Sequence, residues 1–84
     1  MTVETSAWRA NDAARFDIAR DAVADVVALL LHLARQGALE TNAAVEESGR
    51  LRQDLFGAGF DRDRVEQLLT DVKARAAELE ELRP

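Results

Sequence analysis

The chain contains no cysteine and no tyrosine, a single histidine, and a single proline that is its last residue, Pro84. Without thiols, neither a disulfide nor a thiolate–metal site can reinforce a chain of 84 residues. The same absence fits a reducing, cytoplasmic setting. With no interior proline and only four glycines, few positions interrupt a helix. The longest apolar run, Val26 to Ala34, falls far short of the roughly 20 residues that span a bilayer. Met1 to Thr5 has no basic stretch leading into an apolar one. Neither a membrane span nor a secretory signal is therefore expected.

The poverty in reactive side chains also bears on catalysis. With one histidine, no cysteine and scarce serine, the usual nucleophile–base pairs lack members, and no phosphate-loop, dinucleotide, nucleophile-elbow or zincin motif occurs. His32 has no second metal ligand three or four residues away; the carboxylate of Asp25 lies seven residues off. No catalytic residue, metal or cofactor is expected, and the chain reads as a non-enzyme.

Charge is what the chain has in abundance. Sixteen acids against eleven bases give a net charge of −5 and a pI near 4.7. Such a balance lacks the long-range attraction to phosphate on which nucleic-acid and acidic-membrane binding depend. The distribution is uneven: residues 48–64 carry Arg50, Arg52, Arg62 and Arg64 against three aspartates, whereas the flanking segments are net acidic. That arginine cluster leaves a DNA-associated regulator as the alternative functional reading.

At this length one domain is expected, spanning residues 1–84. Apolar spacing of three and four, with no alternation of period two, predicts an all-α fold: a small three-helix bundle, or a long helical hairpin with a short third helix. The first helix begins between Ser6 and Asp12 and runs to Gln36, with Gly37 closing it. If it reaches back to Ser6, Trp8 falls on its apolar side; otherwise residues 1–10 form an arm. Thr41 or Asn42 caps a second helix with a thin apolar face (Val45, Ser48, Leu51, Arg52, Leu55), and Gly57-Ala58-Gly59 breaks it. Asp61 caps a third, with Phe60 placed to staple onto Val65. Val65, Leu68, Leu69, Val72, Ala76, Leu79 and Leu82 then supply its core face, and the charged tail 78–84 is expected to fray.

The segment Leu55-Phe56-Gly57-Ala58-Gly59-Phe60, followed by Val65 and Leu68-Leu69, resembles the Gly-Phe loop and helix of ubiquitin-associated-type small domains. The likeness covers residues 55–69 alone, where glycine ends one helix and phenylalanine staples the next, and it implies no activity.

The first helix carries more hydrocarbon than one stripe requires. Phe16, Ala19, Val23, Val26, Leu30 and Leu33 form a seam with heptad-like spacing. Ile18, Ala22 and Leu29 widen it on one side, and Val27, Leu31 and Ala34 on the other. The second helix brings few large apolar residues to cover it. The expectation that follows is a protein–protein interaction module, a small acidic regulator or inhibitor, whose seam is completed by a second copy or by a protein partner. Val26, Val27, Leu30, Leu31 and Leu33 would make the apolar contact. Asp17, Asp21 and Asp25, in a row at four-residue spacing, would meet a basic target. Neither nucleic acid nor membrane is expected as the partner.

Overall fold

The structure is a computed structural model that describes residues 2–83, and the side chains of residues 11–83. It consists of three helices, α1 (Thr2–Arg35), α2 (Thr41–Ala58) and α3 (Arg62–Glu80), with no strand among the described residues. They pack against one another as a small all-α three-helix bundle, as the spacing predicts.

Each helix boundary has a local cause. At the end of α1 the amide of Ala38 donates to the carbonyl of Leu33 (2.9 Å) and that of Gly37 to Ala34 (3.1 Å). These are the two bonds of a Schellman closure, and they require the positive φ of 79° that Gly37 adopts. α2 is capped one residue before the expected Thr41 or Asn42. The Glu40 carboxylate accepts from the amides of Asn42 (3.1 Å) and Ala43 (2.9 Å), its longer side chain reaching both donors while its charge faces the positive end of the helix dipole. α2 then continues through Gly57 and Ala58, and the break comes only at Gly59. There φ of 53° with ψ of −127° is a combination that glycine alone adopts without strain. Asp61 caps α3 as expected, accepting from the amide of Arg64 (3.2 Å). The ring of Phe60 packs edge-on against Phe16 of α1, centroids 5.3 Å apart, so the aromatic contact ties the α2–α3 turn to α1.

α1 starts at Thr2, earlier than the Ser6–Asp12 window. The placement of the Trp8 ring lies outside the described side chains. With 34 residues against 18 and 19, α1 is by far the longest element. The ion pairs Asp12–Arg62 (3.4 Å) and Arg15–Glu66 mark the level at which α3 begins, so the first turns of α1 outrun both partners. The result is an elongated body of 54 × 20 × 15 Å.

α1 is the central helix. It packs extensively on α2 and on α3, whereas α2 and α3 touch each other less. The α2–α3 contact is instead bridged by Arg75, whose Nε and Nη2 donate to the two carboxylate oxygens of Glu47 at 2.7 and 2.9 Å. The hydrogen bond to Glu47 raises the pKa of the Arg75 guanidinium, burial opposes the rise, and the charges of Glu47 and Glu78 add to it.

The core corrects the expectation about the seam. Ala19, Val23, Val26, Leu30 and Leu33 are buried within one chain, with Leu30 and Leu33 at 0 % exposure. α2 covers its share through small residues. Its buried stripe is Ala44, Ser48, Leu51, Leu55 and Ala58, so small residues share with two leucines the cover that the sequence expectation sought from large ones alone. The one buried polar side chain of this stripe, Ser48, donates back to the carbonyl of Ala44 (2.8 Å), so its burial leaves no unsatisfied group. Val65, Leu68, Val72 and Leu79 of α3 complete the core, with Ala76 packed against it. Leu82, expected on the same face, is exposed beyond the end of the helix.

Candidate interaction surface

The eight residues expected to carry an interaction separate into three groups. Val26, Leu30 and Leu33 are core, buried between α1 and its neighbours, and offer nothing to a second chain. Here the sequence expectation fails, because it weighed α2 by its large residues and left α3 too little of the seam. Val27 and Leu31 lie differently. Val27 is buried but forms part of the floor of an open groove between α1 and α2, and half-buried Leu31 extends that floor. Asp17, Asp21 and Asp25 are all exposed on α1. Asp17 forms an i,i+3 ion pair with Arg20 (3.5 Å), and Asp25 lies instead in the cleft between α1 and α3, near His32, Lys73 and Glu80. That cleft mixes charges of both signs. Among the described residues no group of three or more His, Cys, Asp or Glu could hold a metal ion.

The α1–α2 groove follows from helical spacing. On α1, Phe16, Arg20, Val23, Val27 and Leu31 recur at intervals of three and four, one flank of the buried seam. On α2, Arg52 and Phe56 stand four apart beside the buried Leu55. Val45, seven residues before Arg52 and 55 % exposed, falls on the same side of α2. The groove encloses about 630 Å³ of open space, with an apolar floor and two arginines on its lips.

Phe56 is the residue that sequence reasoning missed. One of the few large apolar residues of the second helix, it is 81 % exposed at the edge of the groove. The reason is angular: the buried stripe 44–48–51–55–58 is regular, and Phe56 sits about 100° around the helix from Leu55. Including Ala44 and Ala58 in the apolar pattern would have revealed that stripe. A scattered exposed hydrophobic residue is ordinary; a nearly bare phenylalanine contiguous with half-buried Phe16 and Leu31 is a patch.

No protein-family model, no curated protein and no solved structure matches this chain.

The arginines of residues 48–64 do not assemble into one face. Arg50 lies in a cleft between α2 and α3 with Glu47, Asp54, Asp71 and Glu78. Arg52 is on the α1–α2 groove, Arg62 reaches Asp12, and Arg64 donates to the carbonyl of Gly57 (3.2 Å). Only Arg50 and Arg64 line neighbouring clefts on the α2–α3 side, and both clefts also hold Asp54 and Asp71. Separately, no helix of the described residues is long and apolar enough to cross a membrane.

Proposed function

We propose that this chain is a non-enzymatic protein–protein interaction module that docks a partner in the groove between α1 and α2. One observation carries the reading: Phe56 is 81 % exposed at the lip of an apolar groove whose floor includes Val27 and Leu31. Burying an exposed phenylalanine contributes on the order of 2–3 kcal/mol, enough to make it the anchor of a small interface of the hot-spot kind. The rigid bundle beneath it preorganises the surface, which keeps the ordering cost of binding low. The reading retains Val27 and Leu31 from the sequence expectation and moves the anchor from the seam of α1 to α2.

The test is site-specific photocrosslinking in the cells that express the protein, with benzoylphenylalanine at position 56 and, as control, at exposed position 81. A discrete adduct from position 56, absent from position 81, supports the reading. No adduct from position 56, or identical adducts from both positions, overturns it. An adduct at twice the mass of the chain would identify the partner as a second copy.

A further inference from the structure

The α1–α2 groove differs in charge from the rest of the surface. Its lining holds Arg20 and Arg52 and no acid, in a chain where acids outnumber bases sixteen to eleven. Four other clefts on the described surface each carry at least one carboxylate, among them Asp25 and Glu80, Asp54 and Asp71, Glu66, and Glu47 and Glu78. Among the described residues Arg52 makes no ion pair, and Arg20 has only the solvent-exposed Asp17 at 3.5 Å. Building on the docking reading above, we infer that the occupant of this groove is an acidic amphipathic helix of another protein, its apolar stripe seated on Val27, Leu31 and Phe56 and its flanking carboxylates held by Arg20 and Arg52.

Shape and length favour a helix. The groove between two packed helices is the seat a third helix takes in any bundle, with apolar residues at i, i+3, i+4 and i+7 as anchors. From Phe16 to Leu31 the floor on α1 runs about 22 Å, the length of roughly 15 helical residues. Guanidinium groups on both lips suit carboxylates that flank the anchor stripe, because each can accept two parallel N–H bonds.

The same charges argue against a second copy. A two-fold dimer closing groove on groove would confront two pairs of arginines across linings that supply no acid. Asp17 is not part of the groove lining, and Asp25 faces the α1–α3 cleft. A head-to-tail arrangement could bring that cleft to the groove, but it would leave the ends of the assembly open.

A displayed library of 15-residue amphipathic helices tests this directly. The apolar stripe is fixed, the flanking positions are randomised, and the folded chain is the bait. Wild type is expected to enrich Asp and Glu at the flanking positions at least fivefold despite its own net negative charge. The double variant R20E/R52E should enrich Lys and Arg instead, and F56S should weaken the selected peptides at least tenfold. All three positions are exposed, so the variants should retain the helical circular dichroism of the wild type. Selected helices that need Phe56 but show no acidic bias, or no exchange of bias in R20E/R52E, would overturn the inference and leave the docking reading standing. Selected helices indifferent to F56S would defeat both. A doubled solution mass that F56S abolishes would assign the groove to a second copy, and binding to phosphatidylglycerol vesicles that R20E/R52E abolishes would assign it to a membrane; either result overturns the acidic helix.

Discussion

Leu30 is the position at which the central question, whether the apolar seam of α1 is internal or shared, can be measured. Its side chain is fully buried at 0 % exposure in a single chain, whereas its neighbour Leu31 is half-buried at the α1–α2 groove. Truncating Leu30 to alanine removes three buried carbons and leaves a cavity walled by helices that cannot fully collapse, at a cost of about 3–5 kcal/mol. A chain of this length has a total stability of roughly 4–12 kcal/mol, so Leu30→Ala removes a large part of it. At 4–8 °C per kcal/mol, the loss should lower Tm by roughly 12–40 °C. Leu31→Ala, which opens no cavity of that kind, should cost on the order of 1 kcal/mol. The assay is thermal and urea unfolding followed by circular dichroism at 222 nm, at protein concentrations a hundredfold apart. The midpoints should not change with concentration, because a seam closed inside one chain gains nothing by mass action. Equal losses for the two variants, or a wild-type Tm that climbs with concentration and ceases to do so in Leu30→Ala, would refute an intramolecular seam.

Two further expectations concern the backbone and the α2–α3 bridge. Gly49 lies inside α2 with nothing within 4 Å of an added Cβ, so Gly49→Ala should raise stability by about 1 kcal/mol. Gly59 has equally open space but a φ of +53°, so Gly59→Ala should lower stability by 1 kcal/mol or more. Chemical denaturation of the pair checks both signs, and a shared sign would contradict the helical-versus-turn assignment. A double-mutant cycle with Glu47→Gln and Arg75→Met should show a coupling of about 1 kcal/mol, as expected for a bidentate but partly solvated pair. A coupling indistinguishable from zero in low salt would mean that Arg75 does not hold α2 to α3.

The features legible in the sequence are those set by neighbours along the chain. The all-α class follows from the three–four spacing, the end of α1 from Gly37, and the start of α3 from Asp61, because each depends on backbone groups a few residues away. The apolar stripes of α1 and α3 were readable for the same reason, although not what would cover the one on α1. The Glu40 cap was less visible, since glutamate is seldom chosen for that role and its reach to two amides depends on the loop that precedes it.

What only the packing of the three helices decided is how much of α1 each neighbour covers. Composition suggested that α2, poor in large apolar residues, would leave the seam bare. Ala44, Ser48 and Ala58 are instead buried along with Leu51 and Leu55, and Val26, Leu30 and Leu33 become interior. The rotation of α2 that buries those small residues is also what turns Phe56 outward beside Arg52. Side-chain periodicity specifies a stripe on each helix, whereas the angle at which two stripes meet depends on interlocking volumes from residues far apart in the chain. The candidate site is a product of that angle, and for this reason its floor was present in the sequence while its anchor was not.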